Sequence, residues 1–529
     1  MPFKHYVSGI NLGLGGLNGS RNKSNLEPDE LLIASNVTFE GDIIGKEGGA
    51  TKYNSTAVPT AGIILGGYDF WPNISTQRMI VYTNGGYLLK DSGNGLFSTT
   101  LKTGLNISKI PVFVTGGEEA LASSRKLFLF NGYDPVQVLA ADGVSTTNIA
   151  TPPADWSSTN QPNCGCIHEG RLWGALGHRV YFSKTTNHED FTAGSGATDG
   201  GSIVLWPGVG NEIKQILSFK GVLLVFKEPR GIFLIDTSST AIADWKVMQL
   251  NGSIGVASSH SAVQIDDDIL FMDSTGSVQL FSGIDNFNIT GANLSQGKQM
   301  NVYVQDNVNL AELEHVKSVF YPAKREVHFA VPQTSITYNN ARLVIDLNRP
   351  SQPRWRWSPR DVCESLWLRK DSQEIPRIVC GDNTGFVWLL DQDARSKAGA
   401  AYLGVFQTPH MDFGNLDPLL ASRQKLGCEL EILAEPRDGV TLYVDVYWDN
   451  EFRHTINMSL NPQGTALGTF ILGTSVLGSD QLLSIRRKRI LGSGRRLSLR
   501  FYNEEIAGDF AIARAYVRFK VGNERISHS

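Results

Sequence analysis

Several short stretches of this chain carry residue types that could do chemistry. Cys164-Gly165-Cys166-Ile167-His168 offers thiolates and an imidazole at alternating positions, the soft donors that suit zinc, but a closed site needs a second ligand pair and the other cysteines, Cys363, Cys380 and Cys428, are isolated in sequence. His188-Glu189-Asp190 and Asp266-Asp267-Asp268 are carboxylate clusters, and two carboxyls facing one sugar bond would serve a glycosidase. The triple-aspartate run precedes an apolar run, where a polar turn is the ordinary expectation. Gly41-Asp42-Ile43-Ile44-Gly45-Lys46-Glu47 resembles a phosphate loop, but it is one residue short and Glu47 stands where a Ser or Thr must hold magnesium. Gly13-Leu14-Gly15-Gly16 lies in a polar stretch with no strand before it, so it is no dinucleotide motif. No nucleophile elbow and no HExxH pair occurs. The expectation is a chain with no catalytic residue, no metal and no cofactor.

One segment is densely basic. Arg486, Arg487, Lys488, Arg489, Arg495, Arg496 and Arg500 surround the turn-like Ile490-Leu491-Gly492-Ser493-Gly494. Such a cluster suits a phosphate backbone or an acidic partner surface, or else it is a solvated hairpin whose Arg stems cover a sheet. Aromatic residues do not interleave with the cations, which argues against stacking on single strands. Alternation puts Trp355 and Trp357 on one strand face, where core packing is the expectation.

The elements that must position these groups read as β throughout. Seven apolar runs, each broken by a turn, centre on Gly85, Gly132, Gly177, Pro229, Thr275, Lys324 and Thr384. Their spacings are 47, 45, 52, 46, 49 and 60 residues. Turns such as Asn84-Gly85 and Asp273-Ser274-Thr275-Gly276 supply the positive φ values that tight hairpins need. A period of this length, with several strands per repeat, predicts an all-β fold with a β-propeller of about seven blades over residues 59–398. Tandem sandwiches would show turns without this long repeat. Residues 1–58 read as an extended arm with one short helix over 27–35, where Pro28 and acidic residues favour a first helical turn. Residues 399–529 read as a separate antiparallel β-sandwich, with strands at 426–449, 453–460, 467–473, 495–502 and 510–521.

Composition bounds the rest. Hydrophobic residues are 41% and charged residues 19% of 529, so a large core can form. The net charge of −4 gives no global attraction to nucleic acid. Five cysteines suit a reducing compartment, and no signal region or membrane span is visible, so a soluble protein made in a cytosol is expected.

Several phrases resemble the tail nozzle (tail tubular, or packaged-DNA stabilisation) proteins of short-tailed bacteriophages. Gly15-Gly16-Leu17-Asn18 leads through Asn22-Lys23-Ser24 and Leu26-Glu27-Pro28-Asp29-Glu30 to Ala34-Ser35-Asn36-Val37 and Gly45-Lys46-Glu47-Gly48-Gly49. Arg171-Leu172-Trp173 with Arg179-Val180-Tyr181-Phe182-Ser183 is similar to a blade of that family. So are Leu223-Leu224-Val225-Phe226-Lys227-Glu228 and Ile269-Leu270-Phe271-Met272. The marks span residues 11–283. The resemblance implies a virion protein of the phage tail, made in the host cytoplasm and forming a hexameric ring below the portal and adaptor. That ring would extend the DNA channel, retain packaged DNA without binding it specifically, and carry tail fibres or a tip. The alternative is a carbohydrate-active tail protein, glycan-binding or depolymerase, on a propeller scaffold.

Overall fold

Strand after strand between residues 64 and 392 is apolar on both faces, and that property determines the architecture. In Lys126–Phe130, Leu127 and Leu129 pack with Leu65 and Tyr82 of the preceding sheet, while Phe128 and Phe130 pack with Leu172 and Tyr181 of the following one. Val222–Glu228 splits the same way: Leu223 and Val225 meet Trp173, and Leu224 and Phe226 meet Ile269 and Phe271. Side chains alternate along a strand, so a sheet covered on both sides reads as a continuous apolar run. Sheets of this kind are satisfied only by neighbours on either side, which is a ring.

The computed structural model describes residues 4–521 apart from 24–25, 60–61, 74, 94, 118–124, 186, 286–287, 350–351 and 463–482. It is an all-β protein built on a β-propeller. Blades 1 to 5 are four-stranded antiparallel sheets at residues 64–102, 112–148, 164–204, 212–251 and 262–293. Blade 7 has three strands within 365–392 and takes its fourth from Gly49–Lys52, with Trp388 opposite Lys52. Six blades therefore stand as separate sheets, where the sequence period predicts about seven; the four strands at 317–358, numbered here as blade 6, run on into a nine-stranded sheet. Trp367, Val379 and Val387 of blade 7 pack on Ile64, Met79 and Val81 of blade 1 and close the ring. The Ser365 hydroxyl donates to the Ile64 carbonyl at 2.7 Å across the same seam.

Six of the seven turns that define the sequence period join the second and third strands of a blade. In blade 6 the Lys324 turn joins the first and second strands, Lys317–Tyr321 and Glu326–Val331. Two short helices, Leu294–Gly297 and Met300–Asn307, and a 3-10 turn at Leu310–His315 lie between blades 5 and 6 and displace the repeat there.

The N-terminal residues are woven through the body. Lys4–Asn11 pairs along its whole length with Ala511–Val521. Ile33–Ser35 sits between blade 6 and strand Gly404–Gln407, with Ser35 opposite both Trp357 and Val405. Ile43–Lys46 pairs with Ala511 and Ile512. The expected helix over 27–35 is not formed; Glu30–Leu31 and Ile33–Ser35 are strands. The acidic signal there makes a single turn, in which the Glu30 carboxylate accepts from the Glu27 amide at 3.0 Å. The Leu32 amide then donates to the Gln407 carbonyl, so tertiary pairing replaces helical bonds. Residues 399–521 are likewise not a self-contained sandwich. One sheet is completed by Lys4–Asn11, Val37–Glu40 and Ile43–Lys46; the other continues through Ile33–Ser35 into blade 6. The two sheets face each other across Leu430, Ile432, Val517 and Phe519 on one side and Val444, Val446, Leu499 and Phe501 on the other. The strand expected at 467–473 lies outside the described residues.

A buried ion network holds this weave together. The Glu47 carboxylate, 3% exposed, accepts from Arg356 at 2.7 Å, Arg342 at 3.1 Å and the Ser358 hydroxyl at 2.7 Å. Arg342 also reaches Asp361 at 2.9 Å, and Arg356 reaches Glu326 at 2.6 Å. Arg360 binds Asp361 at 2.8 Å and the Gly48 carbonyl at 2.8 Å. His328 takes an Arg342 N–H on Nδ1 at 3.0 Å, and because Arg can only donate, its Nε2–H points to Glu326, also at 3.0 Å. Burial alone would raise the Glu47 and Glu326 pKa values. The facing guanidiniums outweigh it, holding Glu47 well below the usual carboxylate range and Glu326 at about 2. Nearby, Arg354 donates to the carbonyls of Gly13 at 2.6 Å and Gly41 at 2.5 Å and pairs with Asp346. The phosphate-loop-like Lys46-Glu47 is thus part of the interior. The Lys46 amine donates to Asn503 at 3.1 Å, and burial lowers its pKa to about 8.

Removing one partner of such a network strands the others, so Glu47→Ala should cost about 3–5 kcal/mol, read as a shifted urea midpoint. A carboxylate whose folded pKa is depressed stabilises the fold above its unfolded value and loses that contribution as pH falls through the folded one. Stability should therefore decline as pH drops from 4.5 toward about 2, the window of Glu326. Unfolding titrations of Glu326→Gln should show a shallower decline over that range; an identical profile would remove Glu326 from the acid response.

Candidate interaction surface

The basic segment is divided between two sheets. Ser484–Arg489 is an edge strand among the described residues and pairs with Lys425–Ala434, Arg487 opposite Glu431 and Arg489 opposite Glu429. Arg500 lies on Leu497–Asn503 in the other sheet, opposite Asp445, with its guanidinium 5.7 Å from the Tyr502 ring. Arg495 and Arg496 follow the turn, and their amides both donate to the Asp449 carboxylate at 2.9 Å. Arg486 points inward. It is 8% exposed, and its guanidinium donates to the Ser459 carbonyl at 3.0 Å and to those of Leu460 and Asn461. It ties the edge strand to the end of Glu451–Ser459. Lys488 and Arg489 are exposed, with no side-chain partner among the described residues.

Register brings further cations beside Arg487 and Arg489. Arg514 lies opposite Leu433, and Tyr516 opposite Glu431. Arg518 lies opposite Glu429, and Lys520 opposite Leu426. Lys4–Asn11 continues the same face with His5, Val7 and Gly9. The inward positions Ala515, Val517 and Phe519 are buried, so Arg514, Tyr516, Arg518 and Lys520 all point outward. The outcome is one solvent-facing sheet surface with five cations, Arg487, Arg489, Arg514, Arg518 and Lys520, around two carboxylates. Glu431 holds Arg487 at 2.8 Å and Arg518 at 3.3 Å, and Glu429 approaches Arg518 at 3.4 Å. Sequence reasoning stopped at residue 500 and missed Arg514, Arg518 and Lys520. The signal was present in the strict alternation of Ala513-Arg514-Ala515-Tyr516-Val517-Arg518-Phe519-Lys520.

The other chemical candidates are engaged elsewhere. Cys164 and Cys166 pack between blades 3 and 4, where burial pushes both thiols up. His168 spends both ring nitrogens on the Ser218 and Thr237 hydroxyls, each at 2.8 Å. Asp266, Asp267 and Asp268 form a hairpin tip, with Asp266 paired to Arg325 at 3.0 Å and Asp267 near Lys220 at 3.6 Å. Glu189 pairs with Lys126, and Asp190 with Lys184 at 2.8 Å. Trp355 and Trp357 are both core residues. A polar cleft of about 450 Å³ opens beside Asn131, Asn160, Gln161, Asn163 and Lys214. Glu312, Glu314 and His315 bring their ligand atoms within 4.8 Å of one another at a partly exposed turn, where His315 lies 3.5 Å from Glu312.

No family model matches the sequence, and neither does any curated protein. Among solved structures the chain is similar to "Structure of U3-55K", with a TM-score of 0.41 and 9% identity over 65% of this chain and 98% of that one. It is also similar to "YCF48 bound to D1 peptide", with a TM-score of 0.38 and 12% identity over 65% of this chain and 97% of that one.

The segment's members should separate on substitution. Arg486→Ala removes the guanidinium donor from the Ser459 and Asn461 carbonyls, while the Leu460 carbonyl keeps the Arg437 amide, and should cost about 1–3 kcal/mol. Lys488→Ala, exposed and with no side-chain partner among the described residues, should stay within about 0.5 kcal/mol of the parent. Urea midpoints measured side by side decide this; equal shifts would contradict the inward assignment of Arg486.

Proposed function

We propose that this chain is a structural subunit of a short-tailed phage tail, the nozzle protein, which assembles as a six-fold ring below the portal and adaptor. The ring continues the DNA channel, retains packaged DNA and supports fibres or a tip. The observation that carries this reading is the position of the phrases that resemble the nozzle family. The phrases between Gly15 and Gly49 fall on one structural joint, and most have a physical reason to be the residues they are; the later ones lie on strands of blades 3, 4 and 5. A β-carbon on Gly15 would lie 2.5 Å from the Asp29 carbonyl oxygen, and Gly16 has φ +70° with the Trp355 amide 2.9 Å from where its β-carbon would stand. Asn36 donates to the Leu403 carbonyl at 2.8 Å, Glu47 centres the ion network, and Gly48 leaves room for Asp391. The N-terminal part of the resemblance therefore follows a continuous weave that joins propeller to sandwich.

Two further features support a structural role. The weave joins propeller and sandwich into one continuous body, which suits assembly against other subunits. Of the acids that a glycan-cleaving alternative would use, Glu189, Asp190, Asp266 and Asp267 are paired with Lys or Arg side chains.

Native mass spectrometry of the purified protein, alone and with a candidate portal–adaptor platform, tests the proposal. The expected result is a ring of about six copies, free or formed only on the platform. A monomer that ignores the platform would overturn it.

A further inference from the structure

From the outer sheet face we infer a docking site for an acidic protein surface. The inference rests on this chain's own geometry and stands apart from the ring proposal. Four of the five cations are Arg, whose planar fork matches carboxylates in pairs. They come from two strands, Ser484–Arg489 and Ala511–Val521, brought into register on either side of Lys425–Ala434, which carries the two acids. An excess of cations on one sheet face fits a partner of opposite sign.

Three observations favour protein over nucleic acid. Glu429 and Glu431 sit within the cationic rows, so a phosphate backbone laid across the face would pass over two carboxylates. The same carboxylates hold Arg487 and Arg518 in place, which pre-organises the donors for discrete acidic groups. Val7, Leu426 and Ile485 bracket the cations and are 53%, 45% and 49% exposed. Apolar groups beside Arg are the composition of a protein interface and have no counterpart on a sugar–phosphate chain.

The test uses the full chain and two labelled probes, poly-L-glutamate and a short duplex DNA, titrated by fluorescence anisotropy. The triple variant Arg489→Glu, Arg514→Glu, Lys520→Glu avoids the paired Arg487 and Arg518. A gentler companion carries Gln at the same positions, and Lys246→Glu on blade 4 is the off-face control. Poly-L-glutamate binding should weaken roughly tenfold or more in the Glu variant, less in the Gln variant, and not at all in the control. Duplex DNA should bind the parent more weakly than poly-L-glutamate does and lose less on charge reversal. Unchanged poly-L-glutamate binding in both triple variants would overturn the inference. So would duplex DNA that binds the parent more tightly than poly-L-glutamate and loses as much on charge reversal. Matching urea midpoints for parent and Gln variant establish that any loss is one of surface charge.

Discussion

A single buried carboxylate, Glu47, is the constraint on which the rest of the architecture turns. It lies between Arg342 and Arg356 of blade 6, and Arg360 of the following loop holds the adjoining Gly48 carbonyl. Immediately after it, Gly49–Lys52 supplies the last strand of blade 7. Immediately before it, Ile43–Lys46 joins the sandwich. Propeller closure and sandwich completion thus depend on adjacent residues of one short segment. Taking these charges out of water is expensive, and apolar packing could give comparable stability. What an ion network adds is registry. Only one placement of Glu47 satisfies two guanidiniums and a hydroxyl, and a shift of one residue would put Lys46 among cations.

The propeller depends less on specific contacts. Each blade strand offers one apolar row to the blade before and another to the blade after, so any partner of similar pattern would stack. A ring of such sheets needs a latch, and the N-terminal strand in blade 7 is that latch. Blade 6 differs because its outer strand is extended by Ile33–Ser35 rather than left as an edge. The sandwich therefore grows out of the propeller, which explains why the two share one continuous core from Val327 and Phe329 to Val517 and Phe519.

The blade hairpins were legible in the sequence because two-sided burial writes continuous apolar runs and tight turns demand Gly and Asn. The weave was not legible. Pro28 with Asp29 and Glu30 carries genuine helix-start chemistry, and only the distant Gln407 strand overrides it. Lys46 and Glu47 read as a failed phosphate loop, since nothing local shows that their partners are residues 342 to 505. The basic cluster was visible as a run, but only two of its seven members, Arg487 and Arg489, lie on the outer sheet face. Arg486 is consumed by carbonyls and Arg500 belongs to the other sheet, while Arg514, Arg518 and Lys520 join through pairing alone. The shift of blade 6 has the same origin, an insertion between blades that a fixed period cannot register.

Hydrogen–deuterium exchange of the full chain, followed residue by residue, tests the central claim that the N-terminal segment is part of the folded body. Amides of Ile43–Lys46 and Gly49–Lys52 should exchange as slowly as those of the blade strand Val222–Glu228, because each is released only when the whole fold opens. Exchange of those amides within the time taken by exposed turns would mean a loosely attached arm, and the account of Glu47 as the joint between propeller and sandwich would be wrong.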